Sequence, residues 1–157
     1  MNKQLNSILF AVTLLIFLFS SCERDDVCTQ NMTPNLIIRF YDNSFTTILK
    51  PVVDIKVISL PNYDTIYKNA TLDSISIPLN VNADLSKFII VKSGNADTLQ
   101  FNYQRNEIFV SKTCGFKDNF SNLIVNILTD SNNWILQSDV LQSEIILENS
   151  AHVKILH

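Results

Sequence analysis

The chain has 157 residues, 46% of them hydrophobic and 17% charged, and a formal net charge of −3. That length suits one domain with enough core to fold unaided. The basic residues stand singly or beside acids rather than in a block, so the electrostatic footprint of a nucleic-acid partner is missing and none is expected. Two glycines cannot build a P-loop or a dinucleotide fingerprint, and no cofactor is expected.

The N-terminus sets the compartment. Lys3 precedes an apolar run from Ile8 to Phe19, and the small residues Ser20 and Ser21 lead directly into Cys22. The run is short and asymmetric for a bilayer span and has secretory-signal geometry; an ordinary cleaved signal or an N-terminal helical anchor are the plainer alternatives. Phe19-Ser20-Ser21-Cys22 resembles a bacterial lipobox, with Phe19 where Leu is usual. The resemblance implies that Cys22 carries the lipid, palmitate among its chains, and becomes the first residue. The membrane is then a partner through that anchor. The expected division is a signal at 1–21, a lipidated acidic tether at 22–34 and a single domain at 35–157. Removal of the signal leaves 11 basic against 15 acidic residues, a net charge of −4.

Glu23-Arg24-Asp25-Asp26 is a solvated spacer on its composition. Acidic residues just after a lipidated cysteine also resemble the surface-export signal of Bacteroidetes lipoproteins, which implies an outer-membrane protein exposed at the cell surface. With Cys22 acylated, Cys28 and Cys114 remain as an even pair, and an oxidising envelope permits a disulfide between them. The alternative is two separate thiols, one near the tether and one buried.

The body is predicted as strands. Leu36, Ile38 and Phe40 alternate with Ile37, Arg39 and Tyr41. After Pro51, Val53, Ile55 and Val57 alternate with Asp54, Lys56 and Ile58. Ile75, Ile77 and Leu79 face one way, and Pro78 marks an edge strand or a strand end. Phe88 to Val91 is a continuous apolar run suited to a central strand. Leu99, Phe101 and Tyr103 alternate, and Arg105-Asn106 is expected to turn the chain into a hairpin with Ile108 to Val110. Residues 116–128 fit both a helix and a strand; the β-branched residues and the surrounding pattern favour strand, with a short helix as the alternative. Ile145 to Leu147 and Val153 to Leu156 flank Asn149-Ser150 as an expected closing hairpin.

Short alternating strands separated by turn signals predict an all-β antiparallel two-layer sandwich, of immunoglobulin-like type. The catalytic inventory is thin. His152 and His157 are the only histidines, and His152 is expected on the solvated side of its strand. No H-E-x-x-H, no metal-spaced Cys/His cluster and no G-x-S-x-G occurs, so neither a catalytic residue nor a metal ligand is assigned. Paired carboxylates remain open as a hydrolase site. Tyr41, Phe45, Tyr63, Tyr67, Tyr103 and Trp134 offer at most a weak stacking platform, and Trp134 is expected in the core.

Asp64-Thr65-Ile66, Asp73-Ser74-Ile75 and Asp97-Thr98-Leu99 resemble the Bacteroidetes O-glycosylation sequon, which makes Thr65, Ser74 and Thr98 candidate sugar sites. Ordinary turn-to-strand chemistry explains the same tripeptides. Taken together, Cys22 with its tether, Cys28, Thr33-Pro34 before LIIRFYD, Thr113-Cys114-Gly115-Phe116, Asn133-Trp134-Ile135 and the ending HVKILH resemble a domain-of-unknown-function family of Bacteroidetes lipoproteins. That resemblance implies an envelope location and one domain, and no activity. The expected function is a non-catalytic binding or scaffolding module with an envelope protein or glycan as partner. A surface hydrolase using paired carboxylates is the alternative.

Overall fold

A computed structural model describes Cys28, residues 32–128 and residues 132–157, so the lipidation candidate Cys22, the signal and most of the tether lie outside the described residues. In chain order the strands are β1 (Leu36–Tyr41), β2 (Val52–Leu60), β3 (Asp64–Leu72), β4 (Ser74–Ile77), β5 (Leu85–Lys92), β6 (Asn95–Ser111), β7 (Gly115–Leu128), β8 (Gln137–Val140) and β9 (Val153–Leu156). They form two sheets, β4-β1-β9-β8 and β3-β2-β5-β6-β7, and the described residues include no helix.

The alternation that predicted a sandwich is the one that builds it. Leu36, Ile38 and Phe40 of β1 and Ile75 and Ile77 of β4 meet Ile55 and Val57 of β2, Phe88 and Ile90 of β5, and Leu99 and Phe101 of β6 in a single buried cluster. Removing these side chains from water drives the two layers together. Trp134 is buried as expected, and its Nε1–H donates to the Ile90 carbonyl at 3.1 Å, which ties the β7–β8 connection to β5. Pro78 ends β4, an edge strand, and β5 lies at the centre of its sheet.

The immunoglobulin wiring is not what is found. Its first strand neighbours the second, whereas β1 lies between β4 and β9 and pairs β9 in parallel. The remaining strand pairs are antiparallel.

Three local expectations change. In β2, Asp54 adopts φ 54° at an irregularity between Val52 and Ile55, so Val52 turns inward and Val53 outward. Aspartate tolerates this left-handed conformation far better than valine would. Arg105-Asn106 does not turn, because both side chains hold neighbours of an extended strand: Arg105 Nε donates to Asp84 Oδ1 at 2.9 Å and Asn106 Nδ2 to Ser121 Oγ at 2.8 Å. β6 therefore runs unbroken for 17 residues, and the turn falls at residues 112–114, before Gly115 at φ 73°. The segment 116–128 is strand throughout. Residues 145–147 do not pair with β9: Ile145 makes an isolated bridge to Phe120, and β9 is taken by β1 and β8.

Candidate functional site

β5 ends its pairing with β6 at Leu85 opposite Asn102, so β6 and β7 continue beyond it as a two-stranded hairpin. The outer edge of β7 is closed by two separate pieces of chain. The Phe120 N–H donates to the Ile145 carbonyl at 3.1 Å, the Ile145 N–H returns a bond to Phe120 at 2.8 Å, and the Leu123 N–H reaches the Ser143 carbonyl at 3.1 Å. Nearer the tip, the Asp118 N–H donates to Thr33 Oγ1 at 3.0 Å. At the tip itself Cys28 and Cys114 form the expected disulfide, with their Cα atoms 5.1 Å apart. These contacts satisfy an edge that would otherwise invite pairing with another chain.

Where the two pieces meet, a shallow groove forms around Ile146. It consists of adjoining depressions of about 230, 480 and 180 Å³. Met32, Thr33 and Pro34 line one end, the residues Gln142 to Glu144, with Leu147 and Asn149, the middle, and Asn106, Ile108 and Asn119 of the hairpin the other. Ile145 is buried beneath it while Ile146 and Leu147 stay exposed above. Glu148 fixes its far wall by accepting from the Asn35 N–H at 2.9 Å. Asn119 Oδ1 is buried in the lining with no hydrogen-bond partner among the described residues. Apolar bodies interleaved with amides and two carboxylates suit an extended peptide or a glycan better than a small buried substrate. Little in the sequence pointed to this groove, because Ile145 to Leu147 matched an ordinary strand.

Both histidines are buried, and the solvated placement expected for His152 is wrong. Its two ring nitrogens bind the Ile37 N–H and the Leu147 carbonyl, and burial pushes its pKa down. His157 sits at the end of the sandwich away from the hairpin. Its Nε2–H donates to the Lys50 carbonyl at 3.1 Å and its Nδ1 accepts from Lys92 Nζ at 3.0 Å. The ring meets Trp134 edge-on at 5.6 Å, and Lys92 lies 5.4 Å over that indole. Burial and the nearby Lys50 charge lower the Lys92 pKa. Lys50 in turn bridges Asp42 at 2.9 Å; that bond and the Phe45 and Ser44 N–H groups hold the Asp42 carboxyl at about 2. Lys50 is paired with Asp42 and Lys92 is bonded to the His157 ring, which marks the cluster as a structural clasp.

Carboxylates do come together on the hairpin. Glu107 lies opposite Asp118 across β6 and β7, beside Arg105 in an open depression of about 260 Å³. Among the described residues no group of three His, Cys, Asp or Glu side chains forms a metal site.

The three sequon tripeptides fall in different settings. Thr65 is exposed on the edge strand β3, Ser74 is half-buried at the start of β4, and Thr98 is half-buried in β6. Asp97 beside Thr98 is buried, and its Oδ2 accepts from the Ile135 N–H at 2.7 Å, so that aspartate has a structural task.

A sequence family described as a family of unknown function (DUF6452) matches residues 54–157. The chain belongs to that family. No curated protein and no solved structure matches it. The DUF6452 span begins within β2 and takes in the whole β6–β7 hairpin, Cys114, the groove segment around Ile146 and both histidines. Cys28, which completes the disulfide, and Thr33, which lines the groove, precede the matched DUF6452 residues, as does β1.

Proposed function

We propose that the chain is a lipoprotein of a Bacteroidetes envelope, acylated at Cys22 and held in the outer membrane, with its acidic tether directing it to the cell surface. Its sandwich is a non-catalytic module that binds or scaffolds another envelope component, a protein or a glycan, along the groove around Ile146. The observation that carries this reading is the Cys28–Cys114 bond, a covalent tie six residues after Cys22. A disulfide suits an oxidising compartment, and this one joins the tether to the tip of the hairpin whose strands line one end of the groove. The Cys22→Ser chain should leave the detergent phase or accumulate as unprocessed precursor, since two or three acyl chains anchor far better than one. A mutant of mature mass that still enters the detergent phase sinks the anchor. A photoreactive residue in place of Ile146 should capture a defined envelope component in cells, while one at Phe45, at the opposite end of the body, should not. Equal capture at both positions removes the groove from the reading.

The hydrolase alternative has one supporting observation, the facing pair Glu107 and Asp118 beside Arg105. It predicts glycan hydrolysis that Glu107→Gln abolishes without loss of fold.

A further inference from the structure

The face of the hairpin that carries Arg105 changes character twice along its length. At its base Tyr103 and Phe120 pack edge-to-face at 5.1 Å within the core. Next comes a polar belt of Arg105, Glu107 and Asp118. Beyond the belt, Phe109 and Phe116 are cross-strand partners with ring centroids 5.3 Å apart, yet they remain 56% and 59% exposed. The polar belt separates them from the core, so they are no extension of it. Lys112, in the turn, and Lys117, opposite Ile108 on the other face of the hairpin, place positive charge at the same tip.

The disulfide says where this tip must lie. The chain that leads to Cys22 departs from Cys28, which is bonded to Cys114 two residues from Phe116. Six residue steps separate Cys22 from Cys28, a reach of at most about 20 Å even when fully extended. A lipid on Cys22 therefore keeps the tip within that distance of the acyl chains, less than the length of the hairpin itself. Exposed aromatic rings flanked by lysines suit the apolar and phosphate-bearing layers of a membrane interface.

We infer that the tip of the β6–β7 hairpin docks on the phospholipid surface, with Phe109 and Phe116 set among the headgroups and Lys112 and Lys117 facing phosphates. This rests on acylation at Cys22 as proposed above. The hairpin then stands the sandwich off the membrane and turns the groove around Ile146 sideways, open to partners along the surface.

The lipidated full-length chain, extracted from cells and reconstituted into phosphatidylcholine–phosphatidylglycerol vesicles, tests it. Trp134, the one native tryptophan, is buried and serves as internal reference. With Phe116→Trp, the added emission should shift to the blue and fall at least twofold in vesicles of brominated lipid. The Phe45→Trp control, at the opposite end, should be unaffected. Co-flotation with vesicles but no quenching of the Phe116→Trp signal overturns the docking and leaves the anchor standing. Failure of the parent chain to float overturns both. Quenching of equal size at both positions also overturns the docking, since it would mean a body with no fixed orientation.

Discussion

His152 and Ile37 are joined twice: the Ile37 N–H donates to His152 Nδ1 at 3.0 Å, and the His152 N–H donates to the Ile37 carbonyl at 2.9 Å. The ring's other nitrogen, Nε2, donates to the Leu147 carbonyl at 3.1 Å. Nδ1 must therefore be bare and Nε2 protonated, which fixes one neutral tautomer. The side chain pins the first strand to the groove segment.

This arrangement makes stability depend on pH. Burial lowers the folded-state pKa of His152, and of His157 with it, so the unfolded chain binds more protons. Their contribution is fully present above the unfolded value of about 6.5 and is lost as pH falls through the lowered folded values. The urea midpoint should thus be higher at pH ~7.5 than at pH ~5. His152→Leu should cost about 2–3 kcal/mol at the higher pH, through the stranded Ile37 N–H and Leu147 carbonyl, and should flatten the pH slope. An unchanged slope in that mutant would show that His152 does not titrate with folding.

The disulfide closes a separation of 86 residues, which the chain-entropy model values at about 4.6 kcal/mol. It lies outside the buried cluster, so reduction should lower the denaturant midpoint without unfolding the sandwich at room temperature. Hydrogen exchange should quicken at the hairpin tip and around Thr33, and stay slow in β1, β5 and β9. Loss of protection throughout would show that the core depends on the bond.

Tyr103 Oη donates to the Asn80 carbonyl at 2.9 Å and lies 2.7 Å from Ser86 Oγ, which itself accepts from the Asn80 N–H at 2.8 Å. The triangle holds the β4–β5 connection against β6. Tyr103→Phe keeps the ring contact with Phe120 and should destabilise by about 1–2 kcal/mol in urea titration. A change below a few tenths would mean that water replaces the hydroxyl at no cost.

Accessibility ranks the three sequons. Intact-mass and peptide mapping of protein from its native envelope should find O-linked sugar at Thr65 and none at Thr98, which lies on β6 with β5 and β7 to either side. Equal occupancy at both would require modification before folding.

The sandwich was legible because period-two alternation is a direct image of burial: β1, β4 and the first half of β6 follow it without interruption, and β5 showed instead as a continuous apolar run. β7 was ambiguous for a physical reason. Asn122 at φ 54° inserts an irregularity, so Phe120 and Leu123 both turn inward three residues apart, a spacing that imitates a helix. β3 and β8 passed unnoticed because they are edge strands with little buried surface and hence little apolar signal. The groove was illegible for another reason: Ile146 and Leu147 look like core in one dimension, and only the pairing of Ile145 with Phe120 leaves them facing outward. His152 misled because its Nδ1 accepts from the Ile37 N–H, 115 residues away in sequence, which no local pattern encodes.

The bond between Cys28 and Cys114 also has a mechanical meaning. A pull on the chain upstream of Cys28 has two routes into the body, along the backbone to β1 in one sheet and through sulfur to the β6–β7 turn in the other. The load is shared between sheets, so β1 cannot be peeled from β4 and β9 by a force that it bears alone. Both routes start at Cys28, so tension divides only beyond that residue, between the two layers of the sandwich.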